Sequence, residues 1–411
     1  MKKYFYLLMV AFVIASCAES KTVTVTVTNP TSFDRNNEMV EVSMSEVSNK
    51  LKLADTAQVV VLNVDGQQVP YQITSDEKLI FQADVKASGV ATYAIQPGTP
   101  EVFGVKACGK QYPERVDDVA WENDLIAFRT YGPALQATGE KAYGYDVWVK
   151  CCTTDPVVEA RYAMELNPVT EARMDSLKKV DPKAADALRK ATSYHFDHGN
   201  GFDCYNVGPT LGAGATALLQ NDSIIYPYCY KTQEILDNGP LRFTVKLVYN
   251  PLTVKGDPSV VESRIITLDV GSHMNKAVVS YSNLKEVIPV ATGIVLHEPN
   301  GQIVTDAKNG YITYVDPTDN ANNNNGKIFV GAAFPAAVKE AKTVLFSDKE
   351  KVERKADGHI LAISDYEPGS DYTYYWGAAW SKADIKDAAD WNKYVAAFAQ
   401  KVRNPLTVTI K

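Results

Sequence analysis

Alternating valine and threonine residues begin the patterned part of the chain. Over residues 22–28 the two types change places at every position, which is the period-two pattern of a strand with one buried face. Further short runs rich in β-branched and aromatic residues follow, separated by turn residues: 39–42, 58–64, 69–73, 78–81 and 91–95. This spacing predicts that residues 23–100 form an antiparallel β-sandwich.

Longer β-rich runs fill residues 101–411. The clearest strands are predicted at 241–249, 260–270, 277–281, 292–297, 311–315, 327–332, 359–363 and 373–380. Runs of this length favour a large antiparallel sheet, so the predicted fold class is mostly β. The asparagine-rich segment 320–326 predicts a loop tip between two of the strands.

Two segments carry helical patterns. Residues 156–192 form a charged insertion, in which Asp181 and Pro182 make a typical helix start. A last helix is predicted from about Asp384 to Val402, because apolar side chains recur there at steps of three or four residues: Ile385, Ala388, Trp391, Val395, Phe398 and Val402. We expect this stripe to pack on the large sheet, and residues 406–410 to return to strand.

The first seventeen residues predict the compartment. Lys2 and Lys3 precede an apolar run, 4–15, that is too short to span a bilayer comfortably. The tetrapeptide Ile-Ala-Ser-Cys at 14–17 resembles the bacterial lipoprotein signal, in which the cysteine becomes the lipidated first residue. We therefore predict a signal peptide at 1–16, lipidation of Cys17 and a tether over 17–22. An ordinary secretory signal with a chance cysteine is the alternative.

Length and charge narrow the class of protein further. Residues 17–411 exceed the single core of about 250–300 residues that one domain usually builds, so two lobes or one very large sandwich are expected. The net charge of −7 argues against nucleic acid as a partner. No later stretch reaches the roughly 18 apolar residues of a membrane helix. The predicted place is the cell envelope, at the outer membrane or facing the periplasm, with the lipid as the membrane contact.

The densest polar cluster is the loop 194–205, which we call the His loop. It contains two of the five histidines among its chemistry-bearing residues, which are His195, Asp197, His198, Asp203 and Tyr205. Loops on a rigid sheet commonly carry sites, and histidine transfers protons near neutral pH. A surface turn satisfied by its own hydrogen bonds is the alternative. The same side chains suit a metal, but no spacing rule selects one, and no metal is predicted.

A second polar cluster, residues 115–131, runs into a predicted strand. Arg129 alternates there with Ala127 and Tyr131 on one strand face. Such an arginine can bind a substrate carboxylate through two parallel hydrogen bonds, while an ion pair inside the sandwich is an equal alternative. The candidates for substrate contact in this cluster are Arg115, Asp117, Asp118, Trp121, Glu122, Asn123 and Tyr131.

Aromatic residues crowd the end of the chain, between residues 366 and 380. Flat rings suit stacking on sugars, although core packing is the expected role of most of them. Trp376 is the candidate for substrate contact from this group, and His297, at a predicted strand end, is a further one. The glycine-rich segment 208–214 is expected to lie close to the proposed site. The chain lacks the Gly-x-Ser-x-Gly, HExxH and dinucleotide-binding signatures.

Three long blocks carry a family resemblance. They are Asp-Asp-Val-Ala-Trp-Glu-Asn-Asp at 117–124, Tyr-Gly-Pro-Ala-Leu at 131–135 and Tyr-His-Phe-Asp-His-Gly at 194–199. With them, nearly the whole mature chain resembles the lipoprotein family known as domain of unknown function 4861. The resemblance implies polysaccharide breakdown, especially of uronate-containing glycans. It also implies a large antiparallel β-supersandwich like that of galactose mutarotases and some polysaccharide lyases, but it supplies no catalytic residue set.

The leading hypothesis is a lyase that performs β-elimination or dehydration on uronate-containing oligosaccharides. Such chemistry needs a cation for the carboxylate, a base and an acid. We assign Arg129 or Arg115 to the carboxylate, His195 or His198 to the base and Tyr205 to the acid, and we predict no cofactor. The predicted partner is an anionic oligosaccharide or polysaccharide.

Three rival functions stay open. A glycoside hydrolase would use two carboxylates about 5–9 Å apart, drawn from Asp117, Asp118, Glu122, Asp197 and Asp203. A sugar epimerase or mutarotase would use histidine and glutamate in the same cleft. A non-catalytic glycan-binding lipoprotein would need only stacking rings and polar loops. For an anionic sugar neither polar cluster is complete alone, so we expect the His loop and residues 115–131 to meet in one cleft.

Overall fold

The computed structural model describes residues 22–54, 57–299 and 302–411. The predictions for the signal peptide 1–16, for Cys17 and for the tether up to residue 21 lie outside the described residues. Within the described ranges, no helix combines the length and the hydropathy needed to cross a membrane.

Antiparallel strands dominate the structure, and they confirm the mostly-β prediction. The strands are β1 Val23–Thr28, β2 Arg35–Ser43, β3 Val59–Leu62, β4 Tyr71–Ile73, β5 Lys78–Val85, β6 Val90–Pro97, β7 Cys108–Tyr112, β8 Asp118–Glu122, β9 Ala127–Thr130, β10 Asp146–Lys150, β11 Gly201–Asp203, β12 Ala213–Gln220, β13 Ser223–Ile225, β14 Tyr230–Asp237, β15 Arg242–Tyr249, β16 Leu252–Val254, β17 Asp257–Asp269, β18 Met274–Ser282, β19 Ile288–Leu296, β20 Ile303–Asp306, β21 Tyr311–Asp316, β22 Ile328–Ala333, β23 Glu340–Leu345, β24 Gly358–Tyr366, β25 Tyr372–Trp380 and β26 Thr407–Ile410. The α-helices are α1 Met44–Leu51, α2 Pro133–Thr138, α3 Val158–Glu165, α4 Pro168–Val180, α5 Pro182–Thr192, α6 Asp348–Arg354 and α7 Ala388–Arg403.

The N-terminal part is a sandwich of two small sheets. One sheet has the order β26-β1-β6-β3 and the other the order β2-β5-β4. The valines of β1 face the core between them while the threonines of β1 remain half-buried, as the period-two pattern predicts. The last strand, β26, pairs antiparallel with β1, for example Val27 with Val408. The sequence placed this strand with residues 101–411; it joins the first sheet because β1 leaves an open edge there.

The larger part has two layers. A nine-stranded sheet runs β14-β15-β17-β18-β25-β22-β21-β20, with β16 paired to β17. Two five-stranded sheets, β13-β12-β19-β24-β23 and β11-β10-β9-β8-β7, pack against its inner face around a shared apolar core. A parallel bridge between Tyr145 and Gly212 joins these two sheets.

Both predicted helical segments are present. The insertion 156–192 contains α3, α4 and α5, and the Asp181 side chain caps α5 as the sequence indicates. The last helix, α7, begins at Ala388 rather than near Asp384, because the Asp387 side chain accepts from the backbone N–H of Asp390 and caps it there. Trp391 and Val395 are buried against the outer face of the nine-stranded sheet, whereas Phe398 is half-buried.

The sheet β7–β11 has two faces of different chemistry. Side chains such as Trp121 and Phe128 point into the shared core. Their neighbours in sequence, Ala120 and Ala127, point outward, where Tyr162 of α3 covers them. Alternation along the strands therefore brings a polar set of side chains to this covered outer face.

Candidate functional site

A buried guanidinium organises the outer face of the sheet β7–β11. Arg129 on β9 lies opposite Asp146 on β10, and its Nε donates to Asp146 Oδ2 at 2.8 Å. Its Nη2 donates to Asp203 Oδ2 of β11 at 2.7 Å, and Nη1 donates to the Tyr162 hydroxyl at 3.3 Å. Arg129 is only 4% exposed. Because these groups occupy its donors, Arg129 holds the carboxylates in place and does not present a free fork to a ligand.

Asp118 on β8 is the third carboxylate of this group, and it is the least satisfied. Both of its oxygens are buried and have no hydrogen-bond partner in the described part of the chain. The nearest cations are Arg129 Nη1 at 3.7 Å and Arg115 Nη1 at 3.9 Å. Burial raises the pKa of Asp118 to about 6, although both guanidinium groups counteract it. Asp118 therefore keeps its proton to a higher pH than an ordinary aspartate does.

Arg115 lies above this group and is reachable from solvent. Its Nε donates to the Tyr194 hydroxyl at 2.8 Å, and its side chain is 23% exposed. The Tyr194 ring stacks on Trp148 of β10, with the ring centroids 4.9 Å apart. The two polar clusters of the sequence therefore meet at Tyr194, and Arg115 is the arginine placed to receive an anion there.

His195 is the second solvent-exposed group beside Tyr194. Its Nδ1 lies 3.3 Å from the backbone carbonyl oxygen of Asp203, and 3.6 Å from Asp203 Oδ2. A carbonyl oxygen can only accept, so Nδ1 carries the hydrogen and Nε2 is left as an acceptor. The side chain is 48% exposed, and its ring centroid lies 4.4 Å from that of Tyr194. This tautomer and exposure suit a general base.

Strained backbone fixes the turn that carries Arg115. Val116 and Asp117 have φ values of 46° and 65°, a left-handed conformation that is costly for a β-branched residue. The turn is held by α2, since the Val116 carbonyl accepts from Leu135 N–H and Asp117 Oδ2 accepts from Ala134 N–H. Asp117 is thus a structural residue of the turn. Strain of this kind costs about 1–3 kcal/mol and is concentrated at functional sites.

Tyr205 and His297 lie together in a neighbouring cluster, apart from Arg115. His297 Nδ1 is 2.6 Å from Asp316 Oδ2, and the Tyr205 and His297 rings are 5.8 Å apart. Burial opposes the charged imidazole, but the Asp316 carboxylate raises the pKa of His297 above its usual value. Burial also raises the pKa of Tyr205, whose hydroxyl has no partner among the described residues. Tyr205 is thus buried beside His297 and is not exposed to a substrate, as the predicted acid would need to be.

Two other residues of the His loop are satisfied locally. His198 Nε2 lies 2.9 Å from the Ser193 carbonyl oxygen, and the Asp197 carboxylate accepts from Gly199 N–H at 2.8 Å. These contacts are those of a turn, which is the alternative that the sequence left open. Among the histidines of this loop, His195 is therefore the site candidate.

Several predicted substrate contacts are buried and form part of the core. Trp121 donates from Nε1 to Asn275 Oδ1 at 2.8 Å inside the sandwich. Trp376 stacks on Tyr145 with the centroids 4.1 Å apart. Tyr131 is buried and donates to Asp146. None of these rings is accessible to a ligand, because the period-two pattern directs them to the inner face or beneath Arg129.

Glu122 and Asn123 stabilise the helical insertion and a turn. Glu122 accepts from the N–H groups of Val157 and Val158 at the start of α3, and it pairs with the buried Lys150 at 2.8 Å. The Asn123 side chain donates to the Asp269 carbonyl oxygen at 2.7 Å. These hydrogen bonds satisfy both side chains, so neither is available to a substrate.

Two of the main partners of Arg129 lie outside the polar clusters of the sequence. Asp146 and Tyr162 belong to no polar cluster in the sequence, and Tyr194 was part of the His loop without a role. Asp146 alternates with Trp148 and Lys150 along one short strand, and this pattern was the available signal for it. No local pattern indicated Tyr162, which reaches Arg129 from the insertion.

Glycines of the segment 208–214 serve packing between strands. A Cβ at Gly212, where φ is 57°, would lie 2.2 Å from the Tyr145 carbonyl oxygen. A Cβ at Gly214 would lie 2.7 Å from the Trp376 Cβ. These glycines therefore admit neighbouring protein segments, and the expectation that the segment lies close to the proposed site stays a prediction.

The carboxylates of the site surround a guanidinium. Across the described ranges, no group of three or more histidine, cysteine, aspartate or glutamate side chains is placed to hold a metal ion. With Arg129 between Asp118, Asp146 and Asp203, the arrangement can store a proton, position His195 and offer Arg115 to an anion.

Comparisons with known proteins give one family and one full-length relative. The sequence profile described as "Domain of unknown function (DUF4861)" matches residues 27–408. "Uncharacterized protein P7" of Formosa agariphila is 24% identical over 426 residues, which cover 99% of this chain and 98% of the relative.

Two similar solved structures come from Enterococcus faecalis. One is described as a protein in glycosyl hydrolase family 38, with a TM-score of 0.49 and 10% identity. The other is an alpha-mannosidase, with a TM-score of 0.43 and 9% identity. Each match covers 95% of this chain but only 47% and 46% of those proteins, so the chain spans less than half of their length.

Proposed function

The chain belongs to the DUF4861 family, and we propose that it is a carbohydrate-active enzyme that performs β-elimination, or dehydration, on uronate-containing oligosaccharides. The observation that carries the proposal is the meeting of Arg115 and His195 at Tyr194. There the partly exposed Arg115 donates to the Tyr194 hydroxyl, and the exposed His195 ring lies 4.4 Å from the Tyr194 ring. This combination is what an anionic sugar needs for proton removal beside its carboxylate.

The proposed roles follow from the contacts. Arg115 binds the uronate carboxylate and neutralises the charge that develops when the neighbouring carbon loses its proton. His195 Nε2 accepts that proton, the bond from the adjacent carbon to its oxygen breaks, and a carbon–carbon double bond forms. The departing oxygen takes this proton back from the His195 imidazolium, because the Tyr194 side chain is only 4% exposed and serves to hold Arg115. His195 takes over the acid role predicted for Tyr205 in this scheme, and Arg129 becomes a positioning residue.

A glycoside hydrolase is the second candidate. Its specific support is Asp118, because a carboxyl group with a pKa near 6 suits a general acid. Asp203, on the same guanidinium, would be its partner carboxylate. Against this stands the burial of both groups, which are 0% and 1% exposed. An epimerase acting at the same site and a binding protein without turnover are the remaining rivals.

The test is incubation of the purified protein with a panel of uronate oligosaccharides. Elimination is expected to raise the ultraviolet absorbance of an unsaturated uronate without addition of water to the products. Hydrolysis adds water without that absorbance, epimerisation changes neither mass nor absorbance, and pure binding leaves the substrate intact. Any of the last three outcomes would overturn the lyase proposal.

Two pairs of variants make the test more specific: one pair compares two histidines of the His loop, and the other compares two arginines. His195→Ala and Arg115→Ala should each lower turnover by roughly 10²–10⁴-fold, as expected for loss of a proton-transfer or charge-stabilising group. His198→Ala and Arg173→Ala are the controls, because the His198 ring contacts the Ser193 carbonyl oxygen beside the loop and Arg173 is an exposed arginine on α4. Equal losses in His195→Ala and His198→Ala would contradict the assigned base.

We also propose a specific type of β-sandwich and a cellular location for this protein. We infer that the two-layer arrangement is a supersandwich of the galactose-mutarotase kind, supported by one nine-stranded sheet that faces two five-stranded sheets. We infer further that lipid on Cys17 anchors the protein in the cell envelope, at the outer membrane or facing the periplasm. The order Ile-Ala-Ser-Cys at 14–17 supports this anchor.

A further inference from the structure

A cleft of about 730 Å³ lies between the N-terminal sandwich and the larger part. Its floor is the outer face of the nine-stranded sheet, where Ile265, Lys276 and Tyr375 project. Phe398 of α7 forms part of one wall, and residues of β2 form part of the other. This volume falls in the range of about 300–1,000 Å³ that small-molecule sites occupy.

One aromatic side chain of β25, Tyr375, faces this cleft because successive side chains of a strand point to opposite sides. Tyr374 and Trp376 point into the core and are fully buried, so Tyr375 between them points to the opposite side. Its ring lies edge-to-face with Phe398, with centroids 5.2 Å apart. Burial, together with the nearby carboxylates of Asp269 and Glu41, raises the pKa of Tyr375 to about 12, so its hydroxyl stays protonated as a donor.

The charges of the cleft leave one cation without a partner. Arg242 pairs with Asp269 at 2.6 Å, Lys78 pairs with Glu41 at 2.9 Å, and Arg35 pairs with Glu38 at 2.8 Å, while Lys401 also contacts Glu38. Lys276 is exposed and makes no ion pair or hydrogen bond with the described residues. Asp237, a carboxylate of the cleft without a cation, accepts from the backbone N–H of Ser75 at 2.7 Å.

Lys276 and Tyr375 are direct cross-strand neighbours on β18 and β25. Their side chains therefore share one face of the sheet at close spacing. A sugar ring that lies on Tyr375 and Phe398 would have its carboxylate beside the Lys276 ammonium. The hydroxyl groups of the sugar would lie beside the Tyr375 hydroxyl. The unpaired Lys276 ammonium would favour an anionic sugar over a neutral one, because opposite charges attract.

We propose that this cleft is a second glycan-binding site, which holds a uronate-containing oligosaccharide on Tyr375, Phe398 and Lys276. The choice of uronate rests on the proposed function, whereas the cleft itself does not. Arg115 and His195 lie on the outer face of the sheet β7–β11, and the cleft lies on the outer face of the opposing layer. One saccharide ring cannot touch both places, so the cleft would hold a second part of a polymer or a second chain.

Calorimetric titration of the full chain with a uronate oligosaccharide tests the proposal. The His195→Ala variant serves as background, because it prevents turnover during the measurement. We expect Lys276→Ala and Tyr375→Ala to weaken binding at one class of sites at least tenfold. Tyr375→Phe, which keeps the ring, should lose much less. Lys231→Ala is the control, since Lys231 is an exposed lysine that does not line the cleft.

Two results would overturn the proposal. One is an unchanged titration for both Lys276→Ala and Tyr375→Ala when their thermal transitions match the background variant. The other is equal binding of a neutral oligosaccharide of the same length. Turnover by the wild-type protein is measured separately, so a protein that binds in the cleft but never turns over uronates would sink the lyase proposal and leave the cleft intact.

Discussion

Arg115 donates its Nε hydrogen to the Tyr194 hydroxyl at 2.8 Å, across 79 positions of the chain. This hydrogen bond connects the strained turn before β8 to the loop that carries His195. Beneath it, Arg129 connects the strands of the same sheet through Asp146 and Asp203. The site therefore has a partly exposed level, with Arg115, and a buried level, with Arg129. Substitution of the first is expected to affect activity, and substitution of the second is expected to affect stability.

Loss of Arg129 is expected to destabilise the fold. Arg129→Ala would leave Asp146 and Asp203 buried without their cation, which costs on the order of 3–5 kcal/mol in the free energy of unfolding. Denaturant titration measures this loss. Arg173→Ala, which shortens an exposed side chain of α4 that makes no ion pair with the described residues, should change stability by less than about 0.5 kcal/mol. Similar values for the two variants would contradict the positioning role of Arg129.

Asp118 should make stability depend on pH. Burial raises its pKa to about 6 from the ordinary value of 3.8, so the folded protein binds this proton more tightly than the unfolded chain. Its contribution is complete below about pH 4 and is lost as the pH rises through about 6. A difference of this size corresponds to roughly 3 kcal/mol.

Asp118→Asn isolates this effect because the amide does not ionise. Relative to wild type, the variant should gain on the order of 2–3 kcal/mol in the free energy of unfolding between about pH 4 and pH 7. Urea titrations of both proteins at four pH values in that range provide the measurement. Parallel stability profiles for the two proteins would show that folding does not raise the pKa of Asp118.

Alanine substitutions at two residues of α7 should lower stability by different amounts, because the two side chains differ in burial. Trp391 is fully buried on the sheet, so Trp391→Ala should cost about 3–5 kcal/mol. Phe398 is half-buried beside the cleft, so Phe398→Ala should cost clearly less. Denaturant midpoints of the two variants give the comparison. A greater loss for Phe398→Ala would mean that the helix packs with another face.

Anchoring by Cys17 is tested by fractionation. Cys17→Ser should release the protein from the membrane fraction and should abolish incorporation of a labelled fatty acid. The reason is that a thioether-linked lipid needs the cysteine sulfur, which serine lacks. If the variant stays wholly with the membranes, the lipid anchor is not what holds the protein there.

Local patterns in the sequence determined the elements. The valines of β1 are buried at every second position, and the apolar stripe of α7 lies on the sheet, because periodicity selects one face of a strand or helix. Asp181 and Pro182 fixed the start of α5 for an equally local reason, since the cap and the first turn are adjacent in sequence. The two polar clusters were also recognisable, because they concentrate chemistry within a few residues.

Tertiary structure alone decided which members of those clusters are available. Alternation indicates that Tyr375 and Trp376 lie on opposite faces, but it does not say which face is covered, and here the sequence favoured the buried one. Likewise, Arg129 is occupied by Asp146, Asp203 and Tyr162, which come from three distant segments, whereas Arg115 remains reachable. Such partners are set by which sheets and helices pack together, and packing over the whole chain leaves no signal in any single stretch of sequence.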